Sequence, residues 1–196
     1  MIARDFYKRT TEAVARELLG KLLVRTHAEG DVVLRLTEVE AYLGIEDPAC
    51  HTYGGRRTPR NETMWGEAGH AYVYLVYGLH SCLNVVTVGP GRPEAVLIRG
   101  GVVEEGLELV RTRRGPRVGE LSLTDGPGKL CQALGVTGDD DGSSFVDGPV
   151  RLSPGELPPG SRVVATPRVG ISVAKEHEWR FVTVDSPGPR SQGRPG

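Results

Sequence analysis

Cysteine is scarce and scattered in this chain of 196 residues. Cys50, Cys82 and Cys131 are odd in number and include no Cys-x-x-Cys pair, so neither a disulfide framework nor a zinc ribbon is indicated. No other group of cysteines and histidines has the spacing of metal ligands. We therefore expect a protein of the reducing cytoplasm that needs no disulfide, no metal and no other cofactor.

Long hydrophobic runs are also missing. No apolar stretch approaches the ~20 residues that cross a bilayer. Residues 1–5 lack the apolar segment of a signal peptide. We therefore expect no membrane partner and no export.

Net charge is nearly absent, at −1, but the arginines are clustered. Arg56, Arg57 and Arg60 crowd one loop, and a second group lies within residues 111–117. Such clusters can bind phosphates even on a protein of balanced charge. Each of them can equally be an ordinary solvated loop, so the residues alone leave both interpretations open.

The length and the residue patterns predict one α+β domain over residues 1–185. A chain of this size can bury about 70% of its unfolded surface. Helical spacing predicts helices over 11–20, 103–113 and 128–134, and alternation predicts strands over 21–26, 32–41, 71–77, 82–88, 95–99, 150–152, 162–165 and 180–184. Hairpins mixed with helices indicate a mainly antiparallel, curved β-sheet with flanking helices. Residues 186–196, rich in Pro, Gly, Ser and Arg, predict a disordered tail.

The strand that begins at Val32 ends in acidic residues. Alternation predicts one shared face for Leu34, Leu36, Glu38, Glu40 and Tyr42. Burying an unpaired ionised acid costs roughly several kcal/mol. The two carboxylates therefore need a partner, a chemical task or exposure at an edge strand. The loop over residues 43–69 shows no period, which is typical of functional or disordered segments.

Several single residues are candidates for chemistry, each with a simpler alternative. Tyr77 falls at a predicted hairpin tip, where it can enter a stack of bases or fold back on its sheet. Tyr74 can be a stacking platform or a core residue, and His51 a ligand or a bystander. An arginine such as Arg99 beside Glu40 would keep that acid ionised in a pocket whose aromatic walls raise its pKa.

Taken together, these segments resemble one protein family. The matching strings, which run in order from about Leu18 to Phe181, are residues 37–44, Asp47, His51, 54–61, 72–78, 82–84, 126–134 and 168–171. They resemble the alkyladenine (3-methyladenine) DNA glycosylase family. Because no long leader precedes the first helix, the chain resembles the short bacterial type.

The resemblance implies a base-excision-repair enzyme that flips an alkylated or deaminated purine nucleotide out of duplex DNA. Such an enzyme hydrolyses the N-glycosidic bond and leaves an abasic site. Glu40 would activate the water that attacks the sugar C1′, Arg99 would help to hold that water, and the Val169 segment would complete its site. The expected partner is double-stranded DNA with damaged purines, and the expected enzyme is a monofunctional monomer, associated with the nucleoid when it acts.

The resemblance also implies how the DNA is held. Tyr42, His51 and Tyr74 would enclose the extruded base, and Asn84 would form part of the pocket wall. Tyr77 would fill the gap left in the duplex. The residues expected to bind the DNA backbone are Arg56, Arg57, Arg60 and Lys129.

Two other functions remain as alternatives. A non-catalytic nucleic-acid-binding module of the same fold would keep Tyr77 and the arginines but would not need Glu40. A carbohydrate hydrolase would use Glu38 and Glu40 as acid and base. However, next-but-one residues on a strand lie about 6.5 to 7 Å apart on the same side, where they do not flank a sugar.

Overall fold

The computed structural model describes residues 1–185, so the predicted tail at 186–196 lies outside the described residues. Within residues 1–185 the chain forms three α-helices, which are α1 (Thr11–Leu18), α2 (Leu107–Arg114) and α3 (Pro127–Leu134). Its eight strands are β1 (Leu22–Arg25), β2 (Val32–Tyr42), β3 (Ala71–Val76), β4 (His80–Gly89), β5 (Arg92–Glu105), β6 (Val150–Ser153), β7 (Ser161–Thr166) and β8 (Arg180–Asp185). All of the strand pairs are antiparallel. The predicted α+β class is confirmed.

Strand β2 is the centre of the sheet, whose order is β3-β4-β5-β2-β1-β6. One side of β2 pairs with β5. The other side is divided, because β1 pairs with residues 32–35 and β8 pairs with residues 38–40. Strand β8 pairs in turn with β7. The segment that connects β7 to β8 is therefore brought close to the acidic end of β2.

A β-bulge changes the alternation along β2. The register of the β2–β5 pairing shifts on either side of Glu38, and a bulge moves the following side chains to the other face. The main core takes Leu36 before this point and Val39 and Ala41 after it. The prediction that residues 34, 36, 38, 40 and 42 share one face was therefore wrong. The bulge turns Glu40 away from the main core.

Two buried clusters cover opposite faces of the sheet. The main cluster lies against α1 and α3 and takes Ala71 and Val73 from β3. The smaller cluster takes Tyr72 from the same strand, together with Cys50, Met64, Val86 and Ala95, and Tyr42 and Tyr74 pack against it. Because consecutive residues of one strand point to opposite faces, the sheet separates the main core from a second, aromatic layer.

The structure corrects two of the predicted elements. Residues 103–105, predicted as helix, continue β5, and α2 begins only after Gly106. Gly106 has φ +80°, and a Cβ there would lie 2.5 Å from the Asp31 carbonyl oxygen, so the strand ends at a position that favours glycine. The loop at 43–69 contains three short 3₁₀ helices, Gly44–Glu46, Tyr53–Gly55 and Pro59–Trp65. None of the helices within residues 1–185 has the length and apolar character of a membrane span.

Candidate active site

Glu40 is fully buried on the aromatic side of the sheet. Three donors from different parts of the chain reach its carboxylate. The Tyr42 hydroxyl donates to Oε2 at 3.0 Å, Arg99 Nη1 donates to the same oxygen at 3.3 Å, and the backbone N–H of Val169 donates to Oε1 at 2.7 Å. The fold thus brings Arg99 and Val169, which are distant in sequence, to Glu40 and Tyr42 at the end of β2. Hydrogen bonds of this kind are strongest when the acceptor is ionised.

Burial raises the pKa of Glu40 above its ordinary value, because the charged form loses its hydration. The Arg99 charge, the Val169 amide and the Tyr42 hydroxyl all act in the opposite direction, and the Glu38 charge adds to the rise. The result is a carboxylate with a raised pKa that can accept a proton more readily than an exposed one. A general base gains efficiency as its pKa approaches the working pH.

Glu38 has a different environment from Glu40. Arg99 Nε and Arg180 Nε both donate to its Oε1 at 2.7 Å. Burial opposes ionisation of Glu38, but the hydrogen bonds from Arg180 and Arg99 outweigh it and lower the pKa of this carboxyl. A carboxyl held ionised in this way is a poor proton donor, which argues against an acid and base pair made of Glu38 and Glu40. The hydrogen bond from Arg99 Nε to Glu38 orients the guanidinium so that its Nη1 faces Glu40.

A cavity of about 170 Å³ opens on the aromatic side of the sheet. Its lining residues are Tyr42, Ala49, Cys50, His51, Met64, Tyr72, Tyr74, Asn84, Ala95, Gly170 and Ile171. Four predicted pocket residues therefore line one cavity, and Val169 directly precedes the lining residue Gly170. Glu40 does not line it, but it is hydrogen-bonded to Tyr42 and Val169 at its border.

The aromatic wall of this cavity is rigidly connected. The His51 and Tyr74 rings meet edge to face with centroids 4.6 Å apart, and His51 Nδ1 lies 2.9 Å from the Tyr72 hydroxyl. Burial lowers the pKa of His51, as do the charges of Arg60 and Arg56, so the imidazole is neutral at neutral pH. Tyr72 also lines the pocket and was not among the residues predicted for it, although it lies two residues before Tyr74 on β3 and therefore shares a face of the sheet with it.

Asn84 presents a fixed amide to the cavity. Its Nδ2 donates to the backbone carbonyl oxygens of Tyr72, at 3.0 Å, and Cys82, at 3.4 Å. Both donors of the amide are therefore used by the backbone. This orientation leaves Oδ1 as the hydrogen-bond acceptor for a bound group.

A buried ion pair behind the cavity was missed as part of the site. Arg168 Nη1 and Nη2 donate to the two carboxylate oxygens of Asp47 at 2.5 and 2.8 Å, and both side chains are fully buried. The guanidinium also lies over the Tyr42 ring, 4.6 Å from its centroid. Both residues belong to the strings that resemble the family. Nothing in the sequence indicates that they pair.

Tyr77 lies in the turn between β3 and β4 and is 91% exposed. Its φ of +52° is unusual for a residue other than glycine. The ring is therefore presented at the hairpin tip and is not folded back on the sheet.

The four predicted DNA-binding cations differ in their surroundings. Arg57 pairs with Glu62 and lies over the Trp65 ring, and Lys129 pairs with Asp125 at 2.9 Å. In contrast, Arg56 has no hydrogen bond or ion pair from its side chain within the described part of the chain. Arg56 and Arg60 also line a second cavity, of about 330 Å³, that shares His51, Cys50 and Tyr72 with the first.

Comparison with known proteins adds an independent observation. The family model described as "Methylpurine-DNA glycosylase (MPG)" matches residues 5–187. A protein of Methanoculleus marisnigri is 51% identical over 180 residues, covering 90% of this chain and 91% of its own length. Proteins of Frankia casuarinae (47% identical, 97% and 94% covered) and Methanocella arvoryzae (44% identical, 95% and 94% covered) are similar over a comparable length. Each of the three is named "Putative 3-methyladenine DNA glycosylase".

Replacing the buried acid should change how stability depends on pH. Because the pKa of Glu40 is raised in the folded state, the folded protein binds this proton more tightly than the unfolded chain. Its contribution to stability is therefore fully present below the unfolded pKa and is lost as pH rises through the folded pKa. The glutamine of Glu40→Gln does not titrate. Relative to the wild type, the free energy of unfolding of this variant should therefore increase as pH rises from the unfolded pKa to the folded pKa of Glu40. Urea unfolding at a series of pH values measures this, and a difference that is flat or falls with pH would contradict it.

Proposed function

The chain belongs to the methylpurine-DNA glycosylase family, as predicted, and on that premise we propose that it removes alkylated or deaminated purines from DNA. The substrate is duplex DNA, from which the damaged nucleotide is flipped into the aromatic cavity. The product is a free base and a strand with an abasic site. The observation that carries this proposal is the buried Glu40 carboxylate, held by three donors at the border of a cavity with aromatic walls.

Glu40 is the general base of the proposed reaction. It takes a proton from a water molecule whose oxygen forms a bond to the sugar C1′, while the bond from C1′ to the base nitrogen breaks and the base leaves with the electron pair. Positive charge develops on the sugar in the transition state, and the ionised carboxylate stabilises it. An alkylated purine that is already cationic leaves without a second acid. This division of labour agrees with the commitment of Glu38 to two arginines.

The cavity supplies the proposed recognition of the base. Tyr42 and Tyr74 offer aromatic surfaces for stacking, which tolerates different bases because every base has a π-face. His51 and Asn84 offer polar groups to the base edge. Among residues 1–185, no lysine lines the cavity, which agrees with hydrolysis by water and not with a Schiff base on an amine. We accordingly propose a monofunctional enzyme that does not cut the strand.

Glu40→Gln should abolish most of the activity and keep DNA binding. The amide has almost the same shape but cannot act as a base, so the single-turnover rate of base release should fall by about 10² to 10⁴. Glu38→Gln, which keeps an acceptor for Arg99, should lose much less. Glu104→Gln, whose wild-type side chain pairs with Arg35 outside the cavity, should keep the wild-type rate. A loss of less than about tenfold for Glu40→Gln would show that Glu40 is not the general base, whereas a wild type without base release would favour the alternative of a non-catalytic nucleic-acid-binding module.

Tyr77→Ala should weaken the handling of duplex lesions. Extruding a nucleotide costs a few kcal/mol, of which an inserted aromatic ring can recover about 1 to 3 by stacking. Excision from duplexes should therefore slow more than excision from single strands, and Tyr77→Phe should restore it. Fluorescence of 2-aminopurine next to the lesion reports the extruded state. If Tyr77→Ala affects duplex and single-stranded substrates equally, Tyr77 does not fill the gap.

Arg56 and Arg57 provide a matched test of backbone binding. Arg56→Gln should lower affinity for all sequences alike and flatten the slope of log K against log salt by about 0.9, because each phosphate that a cation neutralises contributes this amount. Arg57→Gln should have a smaller effect, because Glu62 already neutralises the Arg57 guanidinium. A salt titration of duplex binding measures both. An unchanged slope for Arg56→Gln would show that this side chain does not bind a phosphate.

A further inference from the structure

The Val169 amide reaches Glu40 from a segment with little structure of its own. Among the described residues, 167–178 belong to no helix or strand, and 167–171 form no backbone–backbone hydrogen bond. The Val169 side chain is 49% exposed and so gives this backbone little anchorage in the core. Yet its N–H donates to Glu40 Oε1 at 2.7 Å. Another part of the molecule must therefore hold this segment in place.

The neighbouring side chain, Arg168, provides that anchor. Besides its two hydrogen bonds to Asp47, Nη1 donates to the backbone carbonyl oxygen of Ala41 at 3.0 Å. The guanidinium lies over two rings, Tyr42 at 4.6 Å and Trp179 at 5.0 Å. Arg168 thus joins the connecting segment to the end of β2, one residue after Glu40 itself.

Asp47 is fixed independently of Arg168. Its Oδ2 accepts from the backbone N–H of Leu43 at 3.2 Å, and its Oδ1 accepts from that of Ala49 at 3.0 Å. A carboxylate with two backbone donors and a bidentate guanidinium has no freedom to rotate. The planar arginine fork then fixes the position of the arginine backbone as well.

Stability alone does not explain why this pair is charged. Apolar residues of similar volume often replace a buried ion pair without loss of stability, and in some proteins a charged pair is kept for the specific geometry that it imposes. The geometry imposed here is that of the peptide that follows Arg168, because this peptide carries the N–H of Val169.

We propose that Arg168 is a positioning residue for Glu40: its ion pair with Asp47 holds the Val169 amide against the Glu40 carboxylate. The proposal rests on the proposed function in one respect, since it takes Glu40 to be the base. The amide hydrogen bond favours the ionised form of Glu40. Arg168 therefore controls the pH range in which Glu40 is ionised, although within the described residues its guanidinium hydrogen-bonds to Asp47 and Ala41 and not to Glu40 itself.

Arg168→Lys tests this directly. Lysine keeps the charge but loses the bidentate fork, so the Val169 amide should lose its fixed position and the pKa of Glu40 should rise further. The single-turnover rate of base release should fall about tenfold at acidic pH and recover as pH increases, which moves the acid limb of the pH profile to higher pH. Asp47→Asn should produce the same displacement. A change in folding alone would lower the rate at every pH alike.

Arg25→Lys is the matched control. Arg25 forms another nearly buried ion pair, with Asp140, and neither residue lines the aromatic cavity. This variant should lose thermal stability as Arg168→Lys does, but keep the acid limb of the wild type. If Arg168→Lys folds and also keeps that acid limb, the proposal is overturned.

Nuclear magnetic resonance of the free protein separates this inference from the proposed function. The Val169 amide proton should respond to the titration of Glu40 in the wild type and in Arg25→Lys, and should lose that response in Arg168→Lys.

If Arg168→Lys does not fold, Val169→Pro removes the same donor with the ion pair in place, and it must shift the acid limb in the same way. A wild type without base release would refute the function, whereas a Val169 response that survives in Arg168→Lys would refute the positioning role.

Discussion

A carboxylate that is shut off from solvent has to be kept ionised, and this constraint organises the site. Glu40 is fully buried, so bulk solvent does not stabilise its charge, and three donors of the protein hydrogen-bond to its carboxylate. The donors are the Tyr42 hydroxyl at the end of the same strand, Arg99 from the neighbouring strand β5, and the Val169 amide from the segment between β7 and β8. The division of β2 between β1 and β8 makes the third donor possible.

The two acids of β2 show how environment decides chemistry. Glu38 and Glu40 are two residues apart, and both contact Arg99. Glu38 has the second arginine, Arg180, and its pKa is lowered, whereas burial dominates at Glu40 and its pKa is raised. One carboxyl is thereby suited to orienting a cation, and the other to accepting a proton. The raised pKa of Glu40 is a stability disadvantage at neutral pH, of the kind that active sites commonly retain.

The sequence was sufficient for much of the fold because strand alternation and helix spacing are local properties. These patterns predicted the hairpin at Tyr77, most strands of the sheet and the α+β class. The family resemblance indicated which residues line the cavity. The patterns failed at the bulge near Glu38 and at Gly106, because bulges and strand ends depend on the register with a partner strand. The ion pair of Asp47 and Arg168 could not be predicted either, because 121 positions separate the two residues and local patterns do not report such distant contacts. The predicted tail falls outside the described residues.

We propose above all that Glu40 and the cavity beside it release damaged bases by hydrolysis. The most direct measurement is a single-turnover assay of the wild-type protein, without added metal, on duplexes that carry 3-methyladenine, 7-methylguanine, hypoxanthine or ethenoadenine. Chromatography would identify the released base, and gel analysis with and without alkali would show the state of the strand. We expect the free base and a strand that stays intact until alkali cleaves it at the abasic site. Failure to release a base from any of these duplexes, or strands that are cut without alkali, would contradict the proposed hydrolysis.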